Sequence, residues 1–380
     1  VTYNIVESQQ KVRDMAREFG KKEIAPIAKD LDRKPSEFPH ELFKKMAKAG
    51  FMAFPMKKEY GGLGKPKIDY ATLIEELAWF DASAAVIMAV SGLAAYPIEA
   101  FASEEQKKKY LPKMISGEWI GAFALTEPDA GSDAANQKTT ARVEGDYFII
   151  NGEKIFITSG NVADIIILIA KIRDGEERDK VSAIIVEAKT PGITSEVLKW
   201  KMGIRASTTA RLKFENVRVP KTNLLGEAGK GFKMSLKTLD SARVGIAAQA
   251  VGIAQRVFDD SINYAKTREQ FGAPIGKLQA IQWMIADMST RLEAARLLTY
   301  KAALMEDKGE SFSREAAQAK LFASEAAHFC VDRAMQIHGG YGFIGEFSEI
   351  ERFYRDQRIT EIYEGTSEVQ RLVIAANYLR

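Results

Sequence analysis

Apolar residues return every three or four positions through the first third of the chain. Val12, Met15, Phe19, Ile24 and Ile27 sit near helical spacing, and Leu42, Phe43, Met46 and Ala49 make a second apolar face that ends at Gly50. The Tyr60-Gly61-Gly62-Leu63-Gly64 cluster predicts a loop, after which residues 70–80 and 82–101 resume the helical pattern. Ser103, with Gln106 three positions on, predicts a capping-box helix start, and Leu111-Pro112 falls in the segment that follows. Near Gly121 the period shortens. Residues 141–150 alternate and run into Asn151-Gly152, which predicts a hairpin turn there. Residues 154–158, 165–172 and 181–187 are rich in Ile and Val, residues 211–215 alternate, and Val217 and Val219 carry the strand character to Pro220. Strands at such short intervals predict a sandwich or barrel. From Gly231 the helical period returns in Val244, Ala247, Ala248, Val251, Ala254, Phe258 and Ile262, and long helices are predicted over about 279–307 and 313–338. Helices, then strands, then helices is a segregated α+β order. The expected parts are a helical N-terminal domain at 1–120, a middle β-domain at 121–222 and a helical C-terminal domain at 223–380.

Composition narrows the function classes. Across 380 residues, 54 Lys and Arg face 51 Asp and Glu, a net charge of +3. That excludes a strongly basic protein held on nucleic acid or membrane by charge alone. The 46% hydrophobic and 28% charged content excludes bulk disorder. Cys330 is the single cysteine, so no disulfide within the chain and no cysteine zinc site can form, and a reducing, cytoplasmic setting is expected. Val1-Thr2-Tyr3-Asn4 lacks the charged and apolar run of a signal peptide. The uncharged stretch 82–98 carries Ser83, Ser91, Gly92 and Pro97 and falls short of the roughly 18–20 apolar residues of a membrane span, so a buried helix is expected. The three histidines, His40, His328 and His338, show no HExxH spacing, and no metal site is expected.

Two segments near the C-terminus carry candidate chemistry. Gly340-Tyr341-Gly342-Phe343-Ile344-Gly345 matches GxGxxG, but a dinucleotide loop of that type must follow a strand, and a helical pattern precedes it here. A glycine-rich helix-to-loop connection is the expectation. Glu364 stands between Tyr363 and Gly365, just before a helix start at Thr366 or Ser367 marked by Val369, Leu372, Val373 and Ala376. In an apolar pocket its pKa would rise toward that of a useful general base. The other reading, on these residues alone, is an acid favoured by the helix dipole.

Four segments resemble the signatures of the acyl-CoA dehydrogenases. They are Leu125-Thr126-Glu127-Pro128-Asp129-Ala130-Gly131-Ser132-Asp133, then Ile155-Phe156-Ile157-Thr158-Ser159-Gly160, then Arg268-Glu269-Gln270-Phe271-Gly272, and finally Gln336-Ile337-His338-Gly339-Gly340 with Ile362-Tyr363-Glu364-Gly365-Thr366. Their order and spacing match over nearly the whole chain, and the texture is similar to that of short-chain, butyryl-CoA dehydrogenase-like members. The resemblance implies the family fold of helical domain, β-domain and four-helix domain, and an FAD enzyme that removes two hydrogens from the α and β carbons of an acyl-CoA thioester.

By motif, the resemblance implies that Phe123, Leu125, Thr126 and Ser132 line the flavin, with Ser132 also near the pantetheine arm. Phe156 and Thr158 contact the isoalloxazine ring. Arg268, Gln270, Phe271, Gln279, Gln336, Gly339 and Gly340 hold the adenine and diphosphate half, partly from a neighbouring subunit. Thr366 and Glu368 close the site beside the cofactor. Asp240 and Arg243 touch the CoA portion, and Tyr363 and Gly365, which flank the base, also bind the substrate. Glu364 is the implied base, because the second position used by some relatives is Ala242 here. Hydrogen bonds to the thioester carbonyl from the Glu364 N–H and a flavin ribityl hydroxyl are implied with it.

Relatives that decarboxylate a dicarboxylic acyl-CoA use an arginine in the N-terminal domain. None occurs between Arg33 and Arg142, which disfavours glutaryl-CoA. The small, uncharged stretch 84–96 suits a short, branched or alicyclic acyl group, although Ser91, Gly92 and Tyr96 depart from the usual run. An electron-transferring flavoprotein as acceptor and a homotetramer are also implied. The alternatives are an oxidase or flavin monooxygenase on the same fold, and a catalytically silent scaffold.

Overall fold

A computed structural model of the protein describes residues 7–34, 37–173 and 180–379. Residues 1–4, read above for a signal sequence, lie outside them. The first helical block contains α1 (Glu7–Phe19), α2 (Ala28–Arg33), α3 (His40–Lys48), α4 (Lys67–Phe80), α5 (Ala82–Phe101) and α6 (Glu104–Ile115). The strands are β1 (Gly121–Ala124), β2 (Thr140–Glu144), β3 (Tyr147–Thr158), β4 (Ile165–Arg173), β5 (Lys180–Glu187), β6 (Ile193–Val197), β7 (Thr209–Pro220) and β8 (Leu224–Leu225). The last block holds α7 (Gly231–Thr267), a small hairpin of β9 (Glu269–Gln270) and β10 (Ala273–Pro274), then α8 (Gln279–Asp307), α9 (Ser313–His338), α10 (Gly340–Phe343), α11 (Ile350–Gln357) and α12 (Ser367–Leu379).

The capping box at α6 forms as its sequence predicts. Gln106 N–H donates to Ser103 Oγ at 3.2 Å, and Ser103 N–H donates to the Gln106 side chain at 3.1 Å. Pro112, expected in a following segment, lies inside α6, and Pro97 lies inside α5. Helix α5 is long and apolar enough to cross a membrane by composition, yet it is packed inside the protein. Asp81 caps it through the Ala84 N–H at 2.8 Å and is itself gripped by the buried guanidinium of Arg352 at 2.5 Å. Helix α10 is a single short turn that continues the chain from α9, so the GxGxxG match is a helix-to-loop connection, and no strand leads into it.

The sheet runs in the order β6-β7-β3-β2-β4-β5-β8, with β1 paired in parallel to the first half of β4. Strand β4 explains the position of the sheet. Its Ile165, Ile167 and Ile169 pack with Ala94, Ile98, Leu111 and Met114 of α5 and α6. The alternate residues Ile166, Leu168, Ala170 and Ile172 pack with strand residues such as Phe148, Phe214 and Val217, so the sheet coils over a core of its own. Both faces of the strand are buried, which is why it reads as an unbroken apolar run. Each such side chain contributes roughly 1.5–3 kcal/mol of transfer free energy.

The hairpin expected at Asn151-Gly152 is elsewhere. Strand β3 runs through both residues, and the β2–β3 turn is the two-residue Gly145-Asp146, with Gly145 at φ +56°. Asn151 is used across the sheet: its side chain accepts from the Asn216 N–H at 2.8 Å. Gly152 sits at φ +150°, where an added Cβ would lie 2.4 Å from Thr139 Oγ1, and the β3–β7 register shifts there. The glycine serves close backbone approach at a bulge.

Helices α7, α8 and α9 form the C-terminal core with α4 and α5. Arg243 of α7 lies near Lys320 of α9, and Tyr264 of α7 stacks on His338 of α9 at 4.4 Å, so α7 and α9 run side by side in the same direction. Cys330 is fully buried in this core, and burial pushes its thiol up to about 12.

Candidate active site

The Glu364 loop joins a 3-10 turn at Arg358–Glu361 to α12. Glu364 has φ +54° and Gly365 φ +95°, a left-handed pair that a non-glycine residue adopts only under constraint. The constraint comes from beneath. Arg243 Nε donates to the Glu364 carbonyl at 3.3 Å, Lys320 Nζ donates to the Gly365 carbonyl at 2.7 Å, and Gln370 Nε2 donates to both, at 3.3 and 2.8 Å. Thr366 caps α12 by accepting from the Val369 N–H at 3.3 Å. The Tyr363 hydroxyl donates to the Gln249 side chain, which is anchored in turn to the Ala82 carbonyl at 3.1 Å.

The carboxylate itself is left free. Glu364 Oε2 is buried and has no hydrogen-bond partner. Burial raises its pKa from 4.5 to about 7, against the pull of Lys320, Arg243 and Lys67. It opens into a cavity of about 170 Å³ between α4, α5, α7 and the end of α8, with Tyr70, Gly92, Tyr96 and Ala242 in its wall and Lys67, Ser241 and Glu306 among its polar lining. The sequence expectation of a small, uncharged acyl site considered α5 alone. The charge enters from α4 and α8.

Asp240 and Arg243, the expected CoA contacts, pair with each other on α7 beneath the Glu364 loop. Arg243 is 3% exposed and bonds Asp240 at 2.6 Å as well as the Glu364 carbonyl, so it works under the loop. Asp240 also accepts from Ser313 at 3.0 Å.

The middle-domain residues form a second group. Leu125 and Thr126 follow β1, which contributes the half-buried Phe123. Their loop is clamped by Lys154, fully buried, whose Nζ donates to the Leu125 carbonyl at 2.8 Å, to Glu127 at 2.8 Å and to Gln137 at 3.0 Å. Burial lowers the Lys154 pKa to about 8 in spite of Glu127. Ser132 is exposed on the same loop. Phe156 sits in the β3 register shift between Lys154 and Ile157, at φ +60°, with 64% of its surface exposed. A bulge that turns an aromatic ring outward on left-handed backbone is a local cost without a folding return. Thr158 follows, paired with Thr209.

The third group is at the far end of α7. Gln270 and Phe271 lie on the β9–β10 hairpin, with Phe271 93% exposed at φ +53°. The Arg268 guanidinium sits 5.4 Å from the Tyr341 ring and so joins the hairpin to the glycine segment after α9; Gln336 in the last turn of α9, Gly339 and Gly340 are exposed there. Gln279 is the exposed first residue of α8, and Glu368 is exposed beside Thr366. At Gly339 and Gly340 an added Cβ would meet nothing within 4 Å, which leaves bare backbone open to a ligand. Arg268 is separated from Arg243 by 25 residues of one continuous helix, about 37 Å at 1.5 Å per residue.

These residues fit a flavin dinucleotide: an outward aromatic on constrained backbone, an open glycine cradle and a guanidinium fork suited to phosphate. The sequence reading missed Lys154, Lys320 and Gln370 as supports, and Lys67, Ser241 and Glu306 as cavity residues. A signal existed for Lys320, which sits among Ala316, Ala317, Ala319 and Ala323 on the buried stripe of α9.

Comparison with known proteins gives consistent matches. The acyl-CoA dehydrogenase N-terminal, middle and C-terminal domain families match residues 6–118, 122–217 and 229–379. The chain is 47% identical over 375 residues to the 3-(aryl)acrylate reductase of Clostridium sporogenes, covering 98% of this chain and 99% of that one. It is 44% identical to the short-chain specific acyl-CoA dehydrogenase of Clostridium acetobutylicum, covering both chains fully. The structure of butyryl-CoA dehydrogenase from Megasphaera elsdenii superposes with a TM-score of 0.96 at 41% identity, again over 100% of both chains.

Proposed function

The chain belongs to the acyl-CoA dehydrogenase family of FAD-dependent oxidoreductases, and from that premise we propose that it forms the 2-enoyl-CoA from a short acyl-CoA with Glu364 as the base. The observation that carries this reading is the buried, unpartnered Oε2 of Glu364 at the mouth of the small cavity. A thioester α-proton is weakly acidic, so the base must be ionised, positioned and out of water. Burial keeps the Glu364 pKa near neutrality, and Lys320 and Arg243 keep it from rising further. Arg243, Lys320 and Gln370 fix the loop carbonyls, so the carboxylate approaches the α-carbon without reorganising. The Glu364 N–H is offered to the thioester oxygen, where negative charge grows as the α-proton leaves.

Bound FAD supplies the acceptor for the hydride that departs from the β-carbon. Phe123, Leu125, Thr126, Phe156 and Thr158 would hold its ring system, with Ser132, Thr366 and Glu368 at the edge. Arg268, Gln270, Phe271, Gln279, Gln336, Gly339 and Gly340 would hold the nucleotide half of a neighbouring chain's FAD. A homotetramer provides that arrangement, and the length of α7 between the two groups supports it. An electron-transferring flavoprotein as oxidant, and a cytoplasmic setting, belong to the same reading.

The test is anaerobic bleaching of the flavin by butyryl-CoA. Glu364→Gln should keep its yellow FAD and lose bleaching; near-normal bleaching in that variant would falsify the assignment. A base poised near pH 7 can also return its proton, so the same site can reduce an enoyl thioester. The reductase named among the relatives makes that direction worth measuring.

A further inference from the structure

The acyl cavity has an unexpected far end. Lys67 at the start of α4, Ser241 on α7 and Glu306 near the end of α8 meet there. Lys67 Nζ donates to Ser241 Oγ at 2.6 Å, Ser241 donates to Glu306 Oε1 at 2.6 Å, and the ammonium lies 3.6 Å from Glu306 Oε2. It also stands 4.7 Å over the Tyr70 ring. The Lys67 and Glu306 side chains are only 11% and 16% exposed. Gly92 on α5 has no side chain to fill the space, and a Cβ there would lie 3.1 Å from the Tyr70 hydroxyl.

A plain hydrocarbon tail pressed against this pair would strip its remaining water and return nothing, an unfavourable exchange for two charges. One acceptor is already waiting: Glu306 Oε2 is buried without a hydrogen-bond partner. Ser241 takes one of the three ammonium donors, and the 3.6 Å contact with Glu306 Oε2 is an ion pair too long for a hydrogen bond, so the ammonium keeps donors for an incoming oxygen. Neighbouring charge decides the polarity of the guest. Asp307 is occupied with the N–H groups of Lys67 and Ile68 at 2.5 and 3.2 Å, and Glu99 with the Lys57 N–H at 2.7 Å, but both remain near. A carboxylate would meet this acidic surround, and an ammonium would meet Lys67.

Resting on the acyl-CoA reading above, we propose that the cavity selects an acyl group with a neutral hydrogen-bonding function, a hydroxyl or carboxamide, beyond the β-carbon, held between Glu306 and Lys67. The donor of that group goes to Glu306 Oε2, and its oxygen receives the free Lys67 proton. The dehydrogenation itself is unchanged: the α-proton goes to Glu364 and the β-hydride to the flavin.

Anaerobic bleaching of the FAD-loaded enzyme with 4-hydroxybutyryl-CoA, pentanoyl-CoA and glutaryl-CoA tests this. The first two have chains of equal length that differ by hydroxyl against methyl. Dissociation constants for the same esters are read by calorimetry on the Glu364→Gln holoenzyme, where no turnover intervenes. The hydroxy ester should bind about tenfold tighter than pentanoyl-CoA, the worth of one hydrogen bond to a charged group, and should bleach faster. The paired replacement Lys67→Met with Glu306→Leu should reverse that preference, and if this variant does not fold, the wild-type comparison alone decides. Equal or tighter binding of pentanoyl-CoA overturns the inference, as does a preference for glutaryl-CoA, while bleaching by these esters leaves the parent reading standing. If no CoA ester bleaches the flavin, the parent reading itself falls.

Discussion

The two ends of α7 are built on opposite plans. At its start, Arg243 lies buried under a loop whose Glu364 and Gly365 carbonyls are taken by the protein's own donors, while Glu364 Oε2 is left without a partner. At its end, Arg268 stands beside Gly339 and Gly340, where an added Cβ would meet nothing within 4 Å, among exposed Phe271, Tyr341, Phe343 and Phe347. The first end is finished by a single chain. The second has apolar rings and open backbone of the kind that a second copy and a nucleotide would cover. In the proposed reading, the half that must be exact to a fraction of an ångström is made by one chain, and the half that only binds would be completed by assembly.

The sharpest test of this contrast is at the finished end. Glu364→Gln should reduce the flavin-bleaching rate by about 10²–10⁴-fold, the usual worth of a general base. In the wild type the rate should rise with pH through a midpoint near 7, because only the ionised carboxylate accepts the proton. The same group weakens the fold. Its pKa is higher folded than unfolded, so the penalty for charging it is absent below about pH 4.5 and complete above about 7. Glu364→Gln should therefore gain up to about 3 kcal/mol of stability as pH rises through that window, seen as a higher melting temperature at pH 8 than the wild type.

Lys320→Met comes next. Loss of its bond to the Gly365 carbonyl should cost roughly 10–100-fold in rate, and removal of its charge should move the pH midpoint upward. A merely structural lysine would leave the midpoint in place, and Lys320→Arg should restore it. At the open end, Phe343→Asp should shift the protein toward smaller species in sedimentation and loosen FAD, with the Glu364 loop unaltered. Smallest in stability terms is a matched glycine pair. Gly365→Ala, at φ +95° and 2.6 Å from the Gln370 amide, should cost about 1–3 kcal/mol in denaturant unfolding. Gly340→Ala should change stability by less than about 0.5 kcal/mol yet weaken FAD binding, since its Cβ enters space that only a ligand or partner would occupy.

Sequence carried the order of helices and strands because periodicity is local: α8 and α9 appear over the spans their apolar spacing marks. Glu364 was legible through its neighbours Tyr363 and Gly365 and through the family motif. Asn151-Gly152 misled because a turn signal is indifferent to what lies across the sheet, and here Thr139 and Asn216 decide. Lys67 and Glu306 could not be paired from sequence, since they are 239 residues apart and neither sits in a motif. Lys154 looks like a surface lysine until the Leu125 carbonyl it serves is in place, whereas Lys320 stands out only by its place on an alanine stripe.

Cys330 is sealed between α8 and α9, with its thiol held protonated at physiological pH. Maleimides and iodoacetamides, which react with exposed thiolates, should pass the folded protein by. A cysteine engineered at an exposed loop position such as Glu310 would then be the sole attachment point for a dye or spin label, and the distance between labels on two copies would report on how they meet in any assembly.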